Sequence, residues 1–180
     1  MTFRKFSQVI IYYILPLALA ILVWQDIVSF NILGITALYL LFFILIIKPL
    51  AVIFKAGWLW KIISYRRELG IAIWWFFIFH GLGMIISRNL QWSYFTNINN
   101  SLFWGLSAGI GILILSLTAN NISVRLLKKN WKRLHYLAYL IFLAAFYHAS
   151  LAQDELMRFY IIASVFIILK IIEKLLRKKL

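Results

Sequence analysis

A bundle of six membrane-spanning helices with both ends in the cytoplasm is the fold this sequence predicts, on three observations. Of 180 residues, 64% are hydrophobic and 13% charged, with a mean hydropathy of +0.92; soluble domains run roughly 45–50% apolar and 25% charged. Apolar runs near the length of about 20 residues that a bilayer requires recur along the chain. Basic residues collect between alternate runs.

The composition excludes a soluble globular domain and a disordered segment. Six spans take about 120 residues. The rest supplies connections and tails, without the roughly 100 residues that an appended soluble domain would need. One transmembrane domain over residues 1–180 is therefore expected.

The first span, about 8–24, follows Arg4 and Lys5. Ala18-Leu19-Ala20 looks like a signal cleavage site, but the apolar run continues to Trp24, so it reads as a retained span that Pro16 should bend. The second, 28–47, ends at Lys48-Pro49, and the third, 69–87, follows a basic stretch from Lys55 to Arg67. The fourth, 101–118, ends before Asn120-Asn121; basic residues from Arg125 to Arg133 lead into the fifth, 134–152. The sixth, 157–172, runs into Lys174, Arg177, Lys178 and Lys179. Trp and Tyr mark 48–65 and 91–100 as interfacial. No internal repeat stands out.

The net charge of +14 would point to nucleic acid in a soluble protein. In a membrane protein it reads as topology, because cytoplasmic loops collect Lys and Arg, so lipid and no nucleic acid is the expected surrounding. Six spans place 17 of the 19 cations on one side and leave Arg88 and Arg158 opposite. An odd number of spans would scramble that pattern.

Cysteine is absent, which excludes disulfides, thiolate metal sites and iron–sulfur clusters. Three histidines remain: His80 and His148 inside predicted spans, and His135 at the cytoplasmic start of the fifth. An imidazole in hydrocarbon is costly unless paired or ligating. His80 follows Arg67 by 13 residues and His148 follows Arg133 by 15, which sets both about 20 Å above the basic boundary. Two imidazoles at one depth on helices running outward suit a low-spin b-type haem, whereas zinc usually requires further ligands. Gly81 and Gly83 would admit a flat macrocycle or simply close helix packing. Trp74, Trp75, Phe76, Phe77 and Phe79 could line its pocket, and Arg88 could pair with its propionates. His135 lies about 140° around an ideal helix from His148. A second, inner haem would need a partner near Arg66 and Arg67, neither of which is a usual ligand, so one haem or two stays open, as does a five-coordinate site or an orienting role for His135.

The segment Trp131-Lys132-Arg133-Leu134-His135-Tyr136-Leu137-Ala138-Tyr139, with His148 beyond it, resembles the ferric reductase-like transmembrane family. Further matches are Arg66-Arg67-Glu68-Leu69-Gly70, Leu117-Thr118-Ala119-Asn120 (with Ala119 where a Ser is expected), Gly34 and Pro49-Leu50. Within that family the likeness is strongest to the haem-binding membrane subunits of bacterial periplasmic methionine-sulfoxide reductase systems. The resemblance implies a six-helix haem b protein of the bacterial inner membrane, an electron-transfer subunit with His80, His135 and His148 as metal ligands. It implies a quinol or a cytoplasmic flavin reductase (with FMN) as donor and a periplasmic molybdenum-cofactor reductase as acceptor. Larger relatives carry four histidines and a C-terminal FAD/NADPH module; this chain has three and ends at Leu180, so a separate donor is expected. Two competing readings are a ferric-iron reductase component and a haem-free scaffold or transporter.

Overall fold

The computed structural model describes residues 3–87, 93–152 and 156–178. Arg88, Asp154, Glu155 and Lys179 lie outside the described residues. The first helical rod comprises α1 (Phe3–Val9), a π-helical turn (Ile10–Ile14) and α2 (Leu15–Trp24). The wide turn falls immediately before Pro16, whose ring lacks the N–H that a regular helix would use there.

Ser29 caps α3 (Phe30–Phe54), which continues through buried Pro49 and stops at Lys55 in the left-handed region, φ 51°. A short α4 (Gly57–Ile63) leads to α5 (Arg66–Ser87), and α6 (Ser93–Thr96) precedes α7 (Ser101–Leu117), capped by Asn100. At Thr118 the chain turns by 94° into α8 (Asn121–Leu127). The helices α9 (Lys129–His135) and α10 (Leu137–Ala152) follow as one span with a tightened turn at Tyr136, and α11 (Leu156–Lys178) closes the fold.

Four helices among the described residues are long and apolar enough to cross a bilayer: Arg4–Trp24, Phe30–Phe54, Arg66–Ile86 and Lys129–Ala152. The bent pair α7–α8 makes a fifth if it counts as one span. Six spans were expected. The shortfall has physical causes. Helix α7 has 17 residues, about 26 Å of rise against a hydrocarbon core of about 30 Å, and α11 carries Lys170, Glu173 and Lys174 into its later turns.

The tightest pairings are α3 with α5 and α7 with α10, with α5 meeting α7 between them and α11 lying on α3 and α10. Small residues permit this closeness. Gly83 receives the ring of Phe30, Gly109 that of Phe77, and Gly111 the side chain of Ile141. At the centre Phe142, with no exposed surface, stacks on Phe42 and Phe146 at 5.4 and 5.8 Å and tilts against Phe166 at 5.5 Å.

Two buried carboxylates tie outer helices to this core. Glu68 on α5 accepts from Arg4 Nε at 3.0 Å and Gln8 Nε2 at 3.2 Å, holding the first rod. Glu173 on α11 meets Lys170 at 2.9 Å and Lys48 of α3 at 3.8 Å.

Phe142→Ala should lower the unfolding free energy in detergent by about 3–5 kcal/mol, the usual cost of emptying an aromatic core position. Ile86→Ala, at an exposed position, should leave it nearly unchanged. Denaturant titration of the two variants measures the difference.

Candidate functional site

Helix α5 carries His80 and α10 carries His148, and the α5–α7 contact brings their rings together, centroids 6.4 Å apart and planes crossed at 63°. A metal–imidazole bond is about 2.0 Å and the nitrogen lies about 1.1 Å from its ring centre, so two rings sharing one metal have centres roughly 6.2 Å apart. The observed spacing fits one ion between them.

Each ring is also oriented. His80 Nδ1 lies 2.8 Å from the Phe30 carbonyl oxygen, and His148 Nδ1 lies 2.7 Å from that of Ser101. A carbonyl only accepts, so both Nδ1 atoms carry the proton, and each neutral ring keeps its lone pair on Nε2. A metal-binding histidine usually donates its other ring N–H to a carbonyl or carboxylate in this way. Among the described residues no cluster of three or more His, Asp or Glu could hold a metal ion. Two nitrogens are fewer than zinc usually requires, but His80 and His148 would suit the iron of a haem, which brings its remaining ligands with it.

His135 stands elsewhere. Its Nε2 is 3.2 Å from Thr118 Oγ1, and its ring stacks on Trp131 at 4.0 Å. Trp131 Nε1 donates to the Thr118 carbonyl at 2.8 Å. The two segments Leu117–Asn120 and Trp131–Tyr139, far apart as motifs, therefore meet at the α7–α8 corner. The Thr118 hydroxyl also lies 2.8 Å from Ile114 O and 3.2 Å from Leu115 O.

The paired arginines are engaged separately. Arg66 Nη2 donates to Ile44 O at 3.1 Å, and Arg67 Nη1 donates to Asn121 Oδ1 at 2.8 Å, next to the Asn120 that caps α8. Arg88 lies outside the described residues. Gly83 packs on Phe30, whereas a methyl on Gly81 would meet nothing within 4 Å. Of the aromatic residues before His80, Phe77 fills the notch at Gly109 and Trp74 stacks on Phe77.

Sequence reasoning missed the carbonyls of Phe30 and Ser101 as well as Gly105, and quoted Glu68 within a motif without its buried contact to Arg4. A signal existed for the first two: Ser29 and Asn100 are helix-capping types before apolar runs, so each marks a helix start whose first carbonyl lies near the outer histidines.

Residues 32–146 match the family model described as ferric reductase like transmembrane component. The chain is 31% identical over 137 residues to the protein-methionine-sulfoxide reductase heme-binding subunit MsrQ of Agrobacterium fabrum (strain C58 / ATCC 33970), covering 70% of this chain and 59% of the relative. It is 31% identical over 126 residues to the MsrQ of Rhizobium meliloti (strain 1021), covering 68% of this chain and 56% of that protein. The chain thus spans less than two thirds of either relative's length. No solved structure matches. The matched stretch runs from the first turns of α3 to Phe146 on α10 and so includes His80 and His135. Helices suited to crossing a membrane and a family match over more than half of its length identify this multi-pass membrane protein as a member of the ferric reductase-like transmembrane family.

Proposed function

We propose that this chain is a b-type haem membrane protein that passes electrons across the inner membrane to a periplasmic oxidoreductase. A methionine-sulfoxide reductase catalytic subunit is the acceptor the relatives' names favour. The observation that carries this reading is the His80–His148 pair: two neutral imidazoles on different helices, one metal's width apart, each with Nδ1 tied to a carbonyl. Haem bound there would supply a one-electron iron couple. The chain's own residues hold that position. His80 and His148 ligate, the Phe30 and Ser101 carbonyls orient them, and the aromatic core around Phe142 keeps the helices at a fixed separation.

In this reading both termini are cytoplasmic and six spans cross the membrane, following the 17-to-2 cation split. The histidine pair then lies in the outer half, with His135 at the inner end. Arg66, Arg67, Lys128, Lys129, Lys132 and Arg133 form a basic inner rim at which an anionic donor docks, a flavin phosphate or an acidic reductase surface. Lys128 stands at φ 47° between α8 and α9, at the corner of that rim.

The purified protein should show a b-type Soret and α band, with a haem-to-protein ratio near one. His80→Ala or His148→Ala should abolish the low-spin spectrum. His135→Ala should leave it, because that ring is committed to Thr118 and Trp131 and the neighbouring arginines cannot ligate iron. A haem-free wild type would reject this reading in favour of a scaffold. A ratio of two, with one component lost in His135→Ala, would assign His135 to a second, inner haem.

Topology is checked by reporter fusions at Leu180, which should be active only in the cytoplasmic format; periplasm-only activity would overturn six spans with both ends inside.

Donor docking is checked by reducing the haem with a cytoplasmic flavin reductase. The rate should fall with ionic strength, since the screening length shrinks from about 30 Å at 0.01 M to about 8 Å at 0.15 M. It should fall further in Lys128→Gln/Lys129→Gln and stay near wild type in Lys178→Gln/Lys179→Gln. Equal rates in both pairs would leave these cations with topology and lipid headgroups alone.

A further inference from the structure

The two histidine anchors are built alike, although they come from different parts of the chain. In one, Ser29 caps α3, the first carbonyl of the helix (Phe30) accepts from His80 50 residues on, and Gly34, one turn later, faces the same ring. In the other, Asn100 caps α7, the first carbonyl (Ser101) accepts from His148 47 residues on, and Gly105, one turn later, faces that ring. Cap, carbonyl and glycine recur in the same order and spacing on α3 and on α7, and the histidine each pair receives follows on α5 and on α10. The pairs α3–α5 and α7–α10 are also the two most closely packed.

The glycines matter through contact. A Cβ on Gly34 would stand 2.8 Å from His80 Cε1 and Nδ1, and one on Gly105 would stand 2.9 Å from His148 Nδ1 and 3.0 Å from Cε1. Unstrained carbon contacts need about 3.5–4.0 Å. The ring cannot retreat and keep a 2.7–2.8 Å bond to its carbonyl, because the bond and the glycine constrain it from the same helix. A methyl group at either position must therefore lengthen the hydrogen bond, rotate the ring or separate the helices.

We propose that Gly34 and Gly105, with the helix-start carbonyls of Phe30 and Ser101, are positioning residues for the two axial imidazoles of a haem. Each half of the repeat fixes one ring's rotation and tautomer, and together they hold the planes crossed at 63°. This rests on the haem reading above. It adds which groups outside the ligand pair decide the ligand geometry, and that the second half repeats the first.

The test uses the full chain in detergent, with haem content and low-temperature EPR of the ferric protein as readouts. Crossed axial planes leave the two iron orbitals that accept imidazole π-density nearly degenerate, so wild type should give a highly anisotropic low-spin signal. Parallel planes would give an ordinary rhombic one. Gly34→Ala and Gly105→Ala should each weaken haem affinity by about 10–100-fold, the range typical of lost outer-shell support, and any haem retained should show a changed EPR signal. Gly57→Ala and Gly70→Ala, where a methyl meets nothing within 4 Å, should match wild type. Helix content and elution volume establish that the variants are folded; if either fails to fold, the wild-type EPR signal decides alone. A rhombic wild-type signal, or folded Gly34→Ala and Gly105→Ala proteins with wild-type haem content and signal, would overturn the cradle and leave the haem reading standing. Wild type without haem would overturn both.

Discussion

An imidazole within hydrocarbon must have its polar atoms satisfied by the protein, because no water is present to do it. In this chain that requirement is met twice by the first carbonyl of a neighbouring helix. Much else follows from it. The carbonyl must reach the ring, so α3 must lie against α5 and α7 against α10. Such closeness requires glycine where the helices face each other, and Gly34, Gly83, Gly105, Gly109 and Gly111 all sit at contacts where a Cβ would collide with a side chain of another helix. The aromatic cluster around Phe142 then fills the remaining space in the middle of the bundle.

The histidines divide by the kind of group they meet. His80 and His148 face backbone oxygens that can only accept, which leaves Nε2 basic. His135 faces a threonine hydroxyl, a group that can both donate and accept. Three residues of one type thus meet two kinds of polar partner, supplied by α3 and by α7 with the Thr118 that ends it. The corner at Thr118 serves a second purpose, since it anchors Trp131 and so fixes where α9 begins.

Much of this was legible in the sequence. Hydropathy located the helices, because a bilayer imposes a length that composition reports directly. It ended the second span at 47, however, where α3 runs on through Pro49 to Phe54, and the sixth at 172, where α11 reaches Lys178. Counting from Arg67 and Arg133 placed His80 and His148 at one depth, because helical rise converts residue number into height. The right-angle turn at Thr118 was not visible: a basic stretch after an apolar run looks the same whether the helix continues, bends or ends. Gly105 was equally silent, since glycine is common throughout membrane helices and only the partner it faces gives it a role. Glu68 was hidden by its neighbours Arg66 and Arg67, which made 66–68 look like a solvated boundary, whereas the carboxylate is wholly buried. The repeat escaped notice because its members share positions and backbone atoms rather than side chains; Phe30 and Ser101 have nothing chemical in common but a carbonyl.

The Arg4–Glu68 pair has a consequence for the order of assembly. Along residues 4–24 only Leu19 is buried, so the first rod has little apolar contact to retain it. Its carboxylate partner lies 64 residues further along the chain. During synthesis the first helix therefore enters the lipid well before the group that fastens it exists. It must wait there, with Arg4 at the membrane surface, until α5 arrives. A rod that precedes α5 in the chain is thus fastened only by a group made after it.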